Sequence, residues 1–287
     1  MIVGVVTPAL NAAGHIGATV SSIVNQDAVL SGDVQLRYVV QDGGSTDDTV
    51  DIAKRVGGEL VTVASAPDTG MYDALASAWD ALDESGGADW YCYLNAGDKW
   101  EPSCLDVIRN FARNSQSQWL CGLHTYYAAS GSIVHTSLPF RYRRELLRAG
   151  AYGRGLPTVQ QESTFWHRSL HQLINRRALR KYAVAGDAYL WWTFAQAQEP
   201  TIVQSALGGF TYHGEHLGVS RKQYRSEIED FAGALDPITR GRIAADRLMW
   251  EQPARVKARF NPNLYLYNTA TGGWHSHIQE VPPLGHG

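Results

Sequence analysis

Residues 34–49, VQLRYVVQDGGSTDDT, decide the fold. A β-branched and aromatic run stops at Gln41-Asp42-Gly43-Gly44, and Ser45 or Thr46 can then cap a helix carrying Asp47 and Asp48 in its first turn. Small polar caps and early acids satisfy the free N–H groups and the positive end of a helix dipole, so the stretch reads as strand, turn and helix start. The same unit recurs on either side. Residues 2–7 form a short strand ended by Thr7-Pro8, before a helix over 16–24 with Ile16, Val20, Ile23 and Val24 on one face. Residues 59–64 form a third strand, followed by Pro67-Asp68-Thr69-Gly70 and a helix with Met71, Leu75, Ala78, Trp79 and Leu82 at helical spacing. Residues 89–94 form a fourth, ending at Asn95-Ala96-Gly97-Asp98. This alternation predicts an α/β fold with a mostly parallel, doubly wound sheet whose ligands sit beyond the carboxyl ends of the strands. Any one of these acids could be a plain helix cap. Four strand ends in succession that carry small or polar residues, three of them with an acid, point instead to a shared edge.

Beyond Asp98 the rhythm changes. The spacing predicts a helix over 101–114, strands over 119–127 and 133–136 turning at Ser130-Gly131-Ser132, and a helix near 169–180. An aromatic helix over 187–196, a strand over 201–212 and a charged helix over 220–235 follow. Charged residues are only 18% of the 287, balanced at 25 Lys+Arg against 28 Asp+Glu, which excludes a disordered chain and gives no reason to expect nucleic acid. Nine Trp and fourteen Tyr are the surplus, rings suited to stacking on a ligand while an edge reaches water. Cys92, Cys104 and Cys121 have no metal spacing and read as buried thiols of a reducing compartment. The opening MIVGVVTPALN lacks a basic start and a long apolar run, and no stretch approaches the roughly 20 residues of a membrane span. A cytoplasmic protein is expected.

Two nucleotide-site readings fall away. Neither GxGxxG after the first strand nor GxxxxGK[ST] is present, so the usual phosphate cradles are missing. Asp42-Gly43-Gly44 is similar to part of a methyltransferase loop, yet it follows the second strand rather than the first.

Taken together, TPALN (7–11), QDGGSTDDT (41–49), PDTGMYDALASAWDAL (67–82) and LNAGD (94–98) resemble the nucleotide-sugar half of the family 2 glycosyltransferases, which have the GT-A fold. QQESTFWHRSL (160–170), AGDAYLWW (185–192) and LGGFTYHGEHLGVSRKQY (207–224) are similar to a polysaccharide-building branch of that family, and the resemblance covers roughly residues 1 to 235. It implies a donor site in which Asp42 meets a uracil or thymine imide, Thr7 and Pro8 line the base pocket, and Asp68 and Gly70 make a second nucleotide contact. Asn95 and Ala96 stand where many relatives begin Asp-x-Asp, leaving Asp98 as the matching metal carboxylate. His213 matches a position near the metal and diphosphate, where a neutral imidazole suits Mn²⁺ better than Mg²⁺, although a satisfied strand histidine is the plain alternative. Thr211 replaces an arginine common there. Arg221 and Lys222 either fold over the diphosphate or begin a solvated helix.

Asp187 matches the family's catalytic carboxylate, a base facing the leaving group, although a helix N-terminal acid is the plain alternative. Glu162, Trp166, Trp191 and Trp192 are the candidates for holding acceptor sugar, since aromatic faces pack on sugar C–H surfaces while carboxylates bind hydroxyls. The plain alternatives are a core Trp, since helical neighbours Trp191 and Trp192 cannot both face the same way, and a Glu162 that orients Asp187 or a loop. The resemblance thus implies a metal-dependent inverting transferase using UDP-, dTDP- or GDP-sugars and a saccharide or lipid-linked acceptor in cell-surface polysaccharide assembly. The alternative is a nucleotide-sugar-binding protein without transferase activity, suggested by Asn95 and Thr211. Domain expectations are 1–120 for the donor, 121–235 for acceptor and catalysis, and 236–287 as a C-terminal extension. In that extension Arg240, Arg242, Arg247, Arg255, Lys257 and Arg259 interleave with Ile243, Leu248, Met249 and Trp250. This pattern fits either a helix packed on the domain or one touching anionic lipid at the inner membrane face.

Overall fold

The structure, a computed structural model, describes residues 1–212 and 220–277. The four expected strand–helix units are present. Strands β1 (Ile2–Ala9), β2 (Gln35–Asp42), β3 (Val61–Ser65) and β4 (Trp90–Tyr93) lie parallel in the order β4-β1-β2-β3. Val3, Val5 and Val6 in β1 are fully buried, as befits a strand covered on both faces by helices. The helices Ile16–Val24 and Thr49–Gly57 pack on each other, and Met71–Glu84 packs on β1 and β2. One start differs from expectation. The second helix begins at Thr49, because Ser45 turns back to bond Asp42 instead of capping.

The next strands are a two-residue β5 (Lys99–Trp100), β6 (Trp119–Cys121), β7 (His124–Ala128) and β8 (Ile133–Ser137). They are followed by β9 (Thr164–His167), β10 (Thr201–Val203), β11 (Gly208–Tyr212), β12 (Leu264–Asn268) and β13 (Gly273–Ser276). The main sheet runs β13-β12-β10-β6-β9-β4-β1-β2-β3, with β9 antiparallel to both β4 and β6. A smaller sheet runs β5-β11-β7-β8. The strands expected over 119–127 and 201–212 each break in two and switch sheets. They do so side by side, with the Leu123 amide bonded to the Ser205 carbonyl at 2.9 Å. A Cβ on Gly122 would sit 2.8 Å from Leu207 and 2.9 Å from the Ser205 carbonyl, so only glycine lets the two crossings touch. The helix expected near 169–180 is likewise two short turns, Arg168–His171 and Arg176–Leu179.

The stretch after residue 235 continues the main sheet rather than standing apart from it, since β12 pairs with β10 and β13 closes the edge. Its helix Pro237–Trp250 buries Ile243, Asp246 and Trp250. The Asp246 carboxylate receives Arg143 Nε at 2.9 Å, and Trp250 stacks on His124. Cys92, Cys104 and Cys121 are free and buried, with burial pushing each thiol up. No helix among the described residues is long and apolar enough to cross a membrane.

Candidate active site

The loops after β1, β2 and β3 are stapled together at the carboxyl edge of the sheet. Asn11, at φ 48°, accepts the Thr46 amide at 3.0 Å and donates its own amide to Ser45 Oγ at 2.7 Å. The Ala12 amide reaches Thr49 Oγ1 and the Ala13 amide reaches Asp47. A Cβ on Gly43 would lie 2.7 Å from Asp68 Oδ2, so the glycine is what allows the second and third loops to meet. Asp68 in turn accepts the Gly70 amide at 2.8 Å.

Asp42 is fully buried at the centre of this knot. Its carboxylate accepts the Gly44 and Ser45 amides and the Ser45 and Ser65 hydroxyls. Burial pushes its pKa up, but these bonds outweigh burial and hold it below the usual carboxylate range. Asp42 therefore shapes the pocket first, and most of its acceptor capacity is already used. Thr7 and Pro8 are buried within β1, and the Thr7 hydroxyl pairs with Tyr38 at 2.9 Å, so it is the following Leu10 and Asn11 that are exposed at this edge.

A second cluster lies beside it. The turn after β4 carries Asn95, Ala96 and Asp98, and Glu162 immediately precedes β9. Because β9 runs antiparallel to β4, the start of one strand meets the end of the other, which brings residues 64 apart in sequence to the same edge. Asp187 occupies the first turn of the helix Gly186–Phe194. A Cβ on Gly186 would come 2.4 Å from the Tyr72 ring, so this helix start is flush against Met71–Glu84. Asp98, Glu162 and Asp187 thus form a chain of acids. Burial first, then the Glu162 charge, drives Asp98 well above the carboxylate range, and the Thr211 amide at 2.9 Å only partly offsets this. Glu162 is raised by burial and by Asp187. Asp187 is pushed up to about 6 by burial, against hydrogen bonds from the Ala188 amide and the Tyr224 hydroxyl.

Neighbouring Asn95 Oδ1 and Thr211 Oγ1 are buried without a hydrogen-bond partner among the described residues. Buried acids and orphaned oxygens together describe a site short of positive charge, and oxygen donors fit a hard divalent ion. Among the described residues no group of three His, Cys, Asp or Glu side chains could hold a metal by itself. His213, the other expected ligand, lies outside the described residues. Arg221 and Lys222 are exposed in the first turn of the helix Arg221–Ala232, capped by Ser220.

Of the acceptor candidates, Trp166 and Trp191 lie in the core. Trp166 is fully buried in β9, edge-on to Trp79 and Trp191, and donates to His171 Nδ1 at 3.2 Å. Trp191 is buried and stacks on Trp119. Removing such core rings typically costs about 3–5 kcal/mol, which is a stability role. Trp192 turns the other way and packs with Tyr189 and Phe231. Glu162 stands between the other two acids rather than among sugar-stacking rings. The sequence reading also missed Tyr72, Tyr224 and Glu227, which surround the Asp187 helix start; no local pattern links Tyr224 to an acid 37 residues earlier.

The glycosyl transferase family 2 profile matches residues 4–181, more than half of the chain. A PGL/p-HBAD biosynthesis glycosyltransferase of Mycobacterium tuberculosis is 35% identical over 142 residues, 48% of this chain and 49% of the relative. One of Mycobacterium bovis matches equally. The chain spans about half the length of these curated relatives. Among solved structures, S. aureus TarS superposes with a TM-score of 0.58 at 14% identity, over 92% of this chain and 70% of TarS. TarS has also been solved with UDP and with UDP-GlcNAc. The M. tuberculosis glucosyl-3-phosphoglycerate synthase gives 0.54 at 19% identity over 82% of each chain. These likenesses support the GT-A fold that the strand order describes. By the family profile and the fold together, the chain belongs to glycosyltransferase family 2.

Proposed function

We propose that this chain is an inverting glycosyltransferase that moves a sugar from a nucleoside-diphosphate donor to a hydroxyl of a saccharide or lipid-linked saccharide in cell-surface polysaccharide assembly. The observation that carries the reading is the acid chain at the carboxyl edge, with Asp98 and Glu162 buried and Asp187 half-buried, in which Asp187 has a pKa raised to about 6. A base poised near neutrality is ionised at working pH yet still able to take a proton. In the proposed step the acceptor oxygen bonds to the anomeric carbon as the bond to the diphosphate breaks. The hydroxyl proton goes to Asp187, and the electron pair leaves with the nucleoside diphosphate. Displacement from the opposite face inverts the anomeric carbon.

Residues 1–120 are the donor half. The loop knot around Asp42, Asp68 and Gly70 holds the nucleoside, for which uridine is the first choice because TarS binds UDP and UDP-GlcNAc. Asn95 and Ala96 border the ribose and diphosphate. A divalent ion, Mn²⁺ or Mg²⁺, held by Asp98 with His213 would supply charge neutralisation of the departing diphosphate. Arg221 and Lys222 extend that positive surround. Residues 121–235 bring the base and the acceptor. The test is nucleotide release from a panel of UDP-, dTDP- and GDP-sugars, with and without Mn²⁺. Turnover of a uridine donor is expected. Tight nucleotide binding without turnover of any donor would favour the non-catalytic binding protein instead.

A lipid-linked acceptor also calls for a surface that meets the bilayer, and the exposed face of the helix Pro237–Trp250 is our choice for it. Opposite its buried face, Ile238 is 72% and Leu248 64% exposed, on a stripe completed by Gly241, Ala244 and Ala245. Arg240 and Arg247 border the stripe on one side and Arg242 on the other, a pattern that suits anionic lipid. The full chain should sediment with phosphatidylglycerol vesicles and not with phosphatidylcholine alone. An Ile238→Glu/Leu248→Glu variant should lose that binding, and equal binding by the variant would reject this surface.

A further inference from the structure

The helix Arg221–Ala232 is attached to the body mainly through one stripe. Tyr224, Glu227, Ile228 and Phe231 recur at three- and four-residue intervals, and only Ile228 is fully buried. Tyr224 donates its hydroxyl to both oxygens of Asp187, at 3.2 Å each. One turn later the Glu227 carboxylate accepts the amides of Val184 at 3.0 Å, Ala185 at 2.9 Å and Ala183 at 3.3 Å. Those three residues form the turn that leads into the Asp187 helix. Phe231 closes the stripe against Tyr182, Tyr189 and Trp192.

The reverse side of the stripe is fitted by glycines. A Cβ on Gly153 would lie 2.5 Å from the Tyr224 ring, and one on Gly150 would lie 2.5 Å from Ile228. Both glycines have positive φ, 85° and 61°, so the floor is shaped to press this helix against the Asp187 turn.

We propose that Tyr224 is the positioning residue for the base, orienting the Asp187 carboxylate toward the acceptor, while Glu227 fixes the turn from which Asp187 projects. The proposal rests on Asp187 acting as base. Tyr224 suits the task because burial and the facing Asp187 charge hold its hydroxyl protonated, so it remains a donor. Among the described residues, the other titratable groups facing Asp187 are Glu162 from the turn before β9, Tyr72 from Met71–Glu84, Tyr93 from β4 and Glu227 from the same helix as Tyr224. None of these is a cation. Tyr224 and, to a lesser degree, Tyr72 are therefore the side-chain donors that favour the ionised form of the base.

Tyr224→Phe keeps the ring that meets Gly153 and removes only the donor. It should melt like the wild type and bind donor nucleotide unchanged. The kcat should fall roughly 10-fold or more, with acceptor KM within about threefold, the pattern of a contact serving the transition state. The acid limb of the kcat/KM profile should move to higher pH, because Asp187 loses a bond to its charged form. Glu227→Gln, which weakens the turn and removes a negative charge near the base, should lower kcat while leaving that limb in place or moving it to lower pH, the direction opposite to Tyr224→Phe. A Tyr224→Phe enzyme with wild-type kcat and an unmoved acid limb overturns the proposal. Asp187→Asn in the same assay separates the two readings. If it is inactive while Tyr224→Phe is normal, only the positioning role fails; if it is active, the base assignment itself fails.

Discussion

Asp187→Asn should lower sugar transfer about 10²-fold or more, the usual size of a general-base contribution, while donor nucleotide binds as before. The amide keeps the shape of the carboxylate at the start of Gly186–Phe194 and can still accept the Tyr224 hydroxyl, so the loss would lie in proton acceptance. Wild-type activity should rise with pH through about 6, the raised value of the Asp187 carboxyl, and the substitution should abolish that limb together with the rate. A variant retaining near-wild-type turnover would retire Asp187 as base.

The same substitution should not cost stability, and the sign follows from linkage. The folded state holds the Asp187 proton more tightly than the unfolded chain, where the value is near 3.8. Keeping this group ionised therefore costs the folded state an amount that grows as pH rises from about 4 through about 6 and stays constant above. Asparagine carries no such cost. The variant should melt at or above the wild-type temperature at pH 7.5, and this advantage should vanish near pH 4. A lower melting temperature at pH 7.5 would mean that Asp187 is a structural helix acid. A gain in stability with a loss of rate is the signature of a functional group kept in an unfavourable place.

What was readable from sequence divides along a physical line. The units β1 to β4 were legible because each combines a local strand period, a turn and a helix start within about 30 residues, and the structure places all four as expected. The second half depends on contacts that no local pattern encodes. Residues 119–127 and 201–212 look like continuous strands until Gly122 and Ser205 meet, and each chain then crosses to the second sheet. The same limit governs the site. Asp98 and Asp187 stood out as acids in small-residue turns, but the contact between Glu162 and its two neighbours follows from an antiparallel β9 within a largely parallel sheet. The tryptophans show the converse ambiguity. Trp166 and Trp191 sit in motif-like segments, and an aromatic ring fills a core as readily as it lines a sugar site. Hydrophobic burial is non-directional, so composition alone could not choose between those uses.

Asp98→Asn should abolish the part of donor affinity that depends on divalent metal. The substitution is chosen because asparagine Oδ1 can still accept the Thr211 amide, which ties β11 to the turn after β4. Alanine would break that tie and confuse binding with folding. With Asn95 already standing in place of an acid, Asp98 is the only carboxylate in the 94–98 turn, so its removal leaves amide oxygens to face the ion. Neutral oxygens bind a hard cation far less well than a carboxylate does, particularly where burial leaves little water to help. Titrating UDP into the wild type with Mn²⁺ and then with EDTA should give two affinities, and the variant should show only the weaker one in both conditions. Its melting temperature without metal should equal or exceed that of the wild type, since one of two facing buried acids, Asp98 and Glu162, has lost its charge. If wild-type affinity were the same in EDTA as in Mn²⁺, the buried acids would need another source of positive charge. Arg221 and Lys222, exposed at the start of their helix, would then be the residues to remove next.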